Sequence, residues 1–123
     1  MSGIRWVVVA VLVAGAVACK QEAPDRGARP APISASERKR GGDACSAYLE
    51  KVCACARSRP AETDLAERCK LDVSLGEALE LVLTVDDNPE ATATDVWRAQ
   101  DQARKIAANC LQSINEVAAR GCP

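Results

Sequence analysis

"KVCACARSRP", residues 51–60, places Cys53 and Cys55 on either side of a single alanine. The stretch continues an apolar recurrence that begins at Cys45 and passes through Tyr48, Leu49 and Val52 to Ala56, the spacing of one buried helical face. On a helix, residues two apart project about 200° from one another, so Cys53 and Cys55 flank the Val52 face on opposite sides. They cannot comfortably bond to each other, nor can both reach the same neighbouring helix. Each is therefore expected to tie this helix to a different partner.

Outward from that stretch the chain reads as helices separated by turns. The first helix is expected over residues 44–57, with Asp43 as N-cap after Gly41 and Gly42, and an end near Ser58 because Pro60 disfavours helical geometry in the residue before it. A second helix opens at Asp64, with Glu67 reaching back, and runs toward Val85. Its apolar stripe changes face. Leu65 and Cys69 define one side, whereas Leu71, Leu75, Ala78, Val82 and Val85 define another, which predicts a break around residues 72–74. The turn Asp86-Asp87-Asn88-Pro89 follows, with Asn88 as cap and Pro89 at the first helical position, or with a start delayed to Thr94. A third helix then carries Val96, Ala103, Cys110 and Val117 at seven-residue intervals, interleaved with Gln100, Ala107 and Ile114, until Gly121 ends it. No strand pattern competes, the one ambiguous run being "ELVLTV" at residues 80–85.

The expected fold class is all-α, a small three-helix disulfide-stapled bundle over residues 44–123. The interior has little bulk to draw on, since the chain has no Phe and its aromatic residues are Trp6, Trp97 and Tyr48. A domain of this size is marginal on apolar burial alone and commonly needs covalent reinforcement. Seven cysteines can supply it. Setting Cys19 aside leaves Cys45, Cys53, Cys55, Cys69, Cys110 and Cys122, an even number that reads as three disulfides in an exported chain. Geometry favours Cys55 with Cys69 across a short loop, Cys53 with Cys110 in the third helix, and Cys45 with Cys122 at the domain ends. The last bond is awkward in an up-down-up arrangement, because the first and third helices run parallel and their far ends lie apart.

The chain opens "MSGIRWVVVAVLVAGAVAC": Arg5, then apolar residues from Trp6 to Ala18, then Cys19. That run is too short for a helix crossing a bilayer, which needs about 20 residues, and suits the hydrophobic region of a signal peptide. Ala16-Val17-Ala18-Cys19 resembles the lipobox of bacterial lipoproteins, with Ala16 where that motif usually carries leucine. The resemblance implies cleavage before Cys19, lipidation of Cys19 with palmitate-type acyl chains, and attachment to the cell envelope. Lys20 in place of Asp implies the outer rather than the inner membrane. The same residues also form an A-x-A site for ordinary signal peptidase, which would leave a secreted or periplasmic protein. Both readings cut the same bond and give a signal peptide over residues 1–18.

Residues 19–43 read as the lipidated N-terminus and a flexible, disordered linker, rich in Pro and Gly and nearly free of large apolar side chains. Arg38-Lys39-Arg40 in this segment could rest on anionic lipid, although a charged linker is the plainer reading. The net charge of -1 argues against nucleic acid as a partner. The absence of histidine removes the commonest general base and zinc ligand, so neither an enzyme nor a cofactor is expected. Ser46, Ser58, Ser74 and Ser113 have no histidine to activate them, and Glu77 and Glu80 fit a solvated helix face. Asp86, Asp87, Asn88 and Glu90 lack the alternating ligands and glycine of an EF-hand loop. Trp97 is expected to be partly buried between helices.

The function this supports is a lipid-anchored envelope module that binds a protein partner or serves a structural role, with the membrane as its other partner. The rival reading is a periplasmic thiol-redox or soft-metal protein working through Cys53 and Cys55.

Overall fold

The computed structural model describes residues 27–122; the expected signal peptide and Cys19 lie outside them. The described chain is all-α: α1 (Ala35–Ser58), α2 (Thr63–Asp72), α3 (Ser74–Asp87) and α4 (Ala93–Ala119). Helices α2 and α3 are one rod interrupted at Val73, so the bundle has three rods and the expected break falls within residues 72–74. The interruption follows from the change of stripe. Leu65 of α2 is buried in the part of the rod that packs on α1, whereas Leu79 and Leu83 of α3 are buried where the rod packs on α4. One straight helix cannot turn both faces inward. Val73 keeps helical dihedrals, and Ser74 Oγ donates to the Leu71 carbonyl at 3.0 Å beside the gap.

The first helix begins well before the expected Ala44, which corrects the extent of the linker: residues 35–43 are helical. Ser34, not Asp43, is the N-cap, its Oγ accepting from the Glu37 amide at 3.2 Å. Gly41, expected in the flexible linker, is a packing notch. It is buried, and a Cβ there would lie 3.3 Å from Ala107 Cβ and 3.5 Å from Leu79 Cδ2, so glycine is what lets α1 approach its neighbours. Propensity argued against this helix because two adjacent glycines each cost about 1 kcal/mol. Close packing and the Ser34 cap offset that cost.

Two further boundaries move. Thr92 caps α4, with Oγ1 accepting from the Asp95 amide at 3.2 Å, so the helix starts at Ala93 rather than at Pro89 or Thr94. Asn88 instead closes a turn, its Oδ1 accepting from the Glu90 amide at 2.9 Å. Helix α2 starts at Thr63 with no side-chain cap, and Asp64 pairs with Arg120 instead of capping. Gly121, at φ 76°, ends the chain's last helical stretch as expected, and Arg59 donates to the Arg120 and Gly121 carbonyls at 2.7 and 3.1 Å.

The core is centred on Tyr48, Val52, Leu65, Cys110 and Val117. Tyr48 is completely buried, and its hydroxyl donates to Asp72 Oδ2 at 2.5 Å. Burial and then the Asp72 carboxylate push the phenol up to about 12. A raised folded value means stability that is present below the unfolded value near 10 and lost as pH rises toward 12. Tyr48 is the chain's one tyrosine. An absorbance titration should therefore show its phenolate appearing near pH 12 in the folded protein and near pH 10 in denaturant.

All six cysteines of the bundle form disulfides, but in other pairs than expected: Cys45–Cys110, Cys53–Cys69 and Cys55–Cys122. The Cα separations are 4.9, 4.9 and 5.5 Å, the ordinary range. Cys55 with Cys69, Cys53 with Cys110 and Cys45 with Cys122 are thus all corrected. The reasoning that Cys53 and Cys55 bind different rods holds, with the partners exchanged. The direction of α1 and α4 decides the outcome. They run parallel, Glu37 facing Arg104 at one end and Arg59 meeting Arg120 at the other, so an early cysteine must pair with Cys110 and a later one with Cys122.

Candidate functional site

Residues 27–34, expected as part of the spacer, lie across the corner where α3 turns into α4, and each anchor point has a chemical reason. Arg29 is the first. The last carbonyls of a helix lack intrahelical donors and attract a cation. Its guanidinium donates to the carbonyls of Asn88 and Ala91 at 2.8 Å, and to those of Asp86 and Pro89 at 3.3 and 3.4 Å. Pro30 and Pro32 supply no amide donors and favour an extended path, so the segment is held from outside: Trp97 Nε1 donates to the Ala28 carbonyl at 3.2 Å, and Gln100 Nε2 to the Ala31 carbonyl at 2.8 Å. Ile33 is buried in the core beyond them.

Beneath this strap lies Asp86, whose side chain is fully buried. Its Oδ1 accepts from Gln100 Nε2 at 2.7 Å. Its Oδ2 accepts from the Ile33 amide at 2.9 Å and from Arg38 Nη2 at 2.6 Å. Arg38 also binds both oxygens of Asp87, at 2.8 and 2.6 Å, and the Ile33 carbonyl at 3.0 Å. That bidentate contact holds the Asp87 carboxyl below its usual value and raises the guanidinium. Four parts of the chain, the strap, α1, the end of α3 and α4, therefore meet at one carboxylate.

Beside the corner an open groove of about 720 Å³ runs between α3 and α4. Val82, Val85, Ala91 and Ala99 give it an apolar floor, with Asp95 and Arg98 among the polar residues at its sides. Leu81, further round α3, is 68% exposed and extends the apolar surface. The groove carries both apolar and charged walls, the combination by which a binding surface gains area and orientation.

The expected candidates fall into place around this geometry. Asp86 and Asp87 are committed to Arg38, Gln100 and the Ile33 amide, and Asn88 to its own turn. Among the described residues no group of three or more His, Cys, Asp or Glu side chains could hold a metal ion. Arg38-Lys39-Arg40 is not a free basic patch: Arg38 serves the Asp86 corner and Lys39 pairs with Asp43 at 2.5 Å. Ser58 Oγ donates to the Cys55 carbonyl and Ser74 Oγ to that of Leu71, Ser46 is exposed and Ser113 is buried. Glu77 and Glu80 are exposed. Trp97 is half-buried as expected, although it holds the strap rather than a gap between helices. Cys19 lies outside the described residues. Among those residues no helix is long and apolar enough to cross a membrane.

Comparison with family models, curated proteins and solved structures finds no match to this chain. Sequence reasoning missed the strap and the Asp86 cluster, yet two signals for it are present. Gln100 sits in the apolar seam of α4, and Asp86 extends the Leu79 and Leu83 stripe of α3. A polar side chain on a core face needs a buried partner, and these two are partners of each other.

Proposed function

We propose that this chain is a lipid-anchored helical module of a bacterial cell envelope, acting by binding or as a structural component rather than by catalysis. The observation that carries the reading is the partition of sulfur. Six cysteines close three disulfides among themselves, which suits an oxidising compartment, and the seventh, Cys19, directly follows the apolar run. A diacylglyceryl cysteine would hold the protein in a bilayer, since each buried methylene contributes about 0.8 kcal/mol. Lys20 favours the outer membrane, and the groove between α3 and α4 suits an envelope protein partner.

The rival, thiol or soft-metal chemistry at Cys53 and Cys55, would first require two separate disulfides to open, because the two sulfurs have different partners. Mass spectrometry after alkylation of the intact protein tests both readings. The expected result is a mature N-terminus at Cys19 carrying acyl chains, six unreactive cysteines, and loss of both acylation and membrane association in Cys19→Ala. An unmodified Cys19 thiol overturns the anchor, and an alkylated Cys53 or Cys55 overturns the structural role of the sulfur.

A further inference from the structure

We propose that α3 is a movable arm, hinged at Val73 and latched at its other end by the strap of residues 28–33. The three disulfides distribute themselves unevenly. Helix α1 carries three cysteines, α2 carries Cys69, α4 carries Cys110 and Cys122 follows it, whereas α3 carries none. Every other helix is covalently tied to α1. Helix α3 is held to the other rods by noncovalent contacts: Leu79 and Leu83 in the core with Leu75, Ala78 and Val82 packed against it, the Asp86 cluster, Asp87 on Arg38, and Arg29 on the carbonyls at and beyond its last turn.

The two ends of α3 differ in kind. At the first, the helix is interrupted at Val73, whose side chain is 52% exposed and so does little to fix the joint. At the second, Arg29, Ile33 and Arg38 converge on residues 86–91 from outside α3. The groove runs along the boundary of α3 and α4, with Val82 and Val85 on one side and Ala99 on the other. With the strap docked, Arg29 closes the α3–α4 turn. With the strap undocked, the turn loses its four carbonyl contacts and Asp86 loses the Ile33 amide, so that Arg38 and Gln100 are the remaining polar ties of this end, and α3 opens about Val73 more readily and widens the groove. The strap thereby controls the shape of the candidate binding surface, whether or not Cys19 carries lipid.

Native-state hydrogen exchange on the full chain, with increasing low concentrations of denaturant, tests this. Local opening is nearly independent of denaturant, whereas global unfolding depends on it steeply. The amides of Ile33 and of α3 should exchange through a denaturant-insensitive opening ahead of the α1 and α4 amides near Cys45 and Cys110. Arg29→Ala should accelerate the α3 amides roughly tenfold or more and leave those α1 and α4 amides unchanged, with Arg29→Lys between it and the native chain. In a Trp6→Leu background, where Trp97 is the only tryptophan, the same substitution should shift Trp97 emission to the red. The proposal is overturned if α3 exchanges only with global unfolding, if Arg29→Ala leaves α3 unaffected, or if it accelerates all helices alike. Should Arg29→Ala not fold, the denaturant dependence of the native chain decides alone.

Discussion

Replacing Cys45 and Cys110 together by alanine is expected to lower the unfolding free energy by about 3 kcal/mol from loop entropy, and by more once packing is counted. With Cys55–Cys122 intact the bond closes a ring made of residues 45–55 and 110–122, similar in size to the separation of 16 that Cys53–Cys69 closes, so loop entropy contributes about equally to the two bonds and packing separates them. A domain with a net stability of about 5–15 kcal/mol has little left after such a loss. Both sulfur atoms are also deep in the core, Cys110 fully buried and Cys45 4% exposed, so the alanines add two small cavities. Urea unfolding followed by circular dichroism checks the ranking: Cys45→Ala/Cys110→Ala should unfold at a clearly lower midpoint than Cys53→Ala/Cys69→Ala. Equal midpoints would show that burial of the Cys45–Cys110 sulfurs adds nothing to the stability of this bundle.

Asp86→Ala is the second large effect. It leaves a buried Gln100 amide, the Ile33 amide and part of Arg38 without their acceptor, and removing one partner of a buried ion pair costs about 3–5 kcal/mol. Asp86→Asn keeps the volume and one acceptor oxygen but turns an amide toward Arg38 and the Ile33 amide, so it should fall between alanine and the native residue. The exposed pair of Asp64 with Arg120 is the contrast. Water already solvates those groups, and Asp64→Ala should change the midpoint far less. The measurement is again denaturant unfolding, with a second reading at Trp97, which sits over the same corner and should lose its native emission in Asp86→Ala. A loss below about 1 kcal/mol would mean that Asp86 is dispensable to the corner.

Much of the bundle was legible because it rests on periodicity. The seam of α4, the change of stripe at Val73 and the end of α1 near Ser58 follow from where apolar residues recur, and burial rewards that recurrence directly. The start of α1 was not legible. Gly41 and Gly42 read locally as part of a flexible linker, and the approach of Ala107 and Leu79 to Gly41 explains why a helix passes through that glycine. Sulfur participation followed from number and compartment, but pairing depends on the direction and register of two helices far apart in sequence. The premise of parallel α1 and α4 was available, and it already disfavoured Cys45 with Cys122. The strap was hidden for a related reason. Arg29 belongs to no helical or strand periodicity that would mark it, and its partners are backbone carbonyls, which any sequence possesses.

The parallel course of α1 and α4 has a mechanical consequence. Cys45–Cys110 and Cys55–Cys122 are two rungs set roughly 15 Å apart along α1. One rung would let the two rods pivot, whereas two forbid both pivoting and sliding. A pull applied at the front of the molecule is therefore carried down this braced pair as a rigid beam.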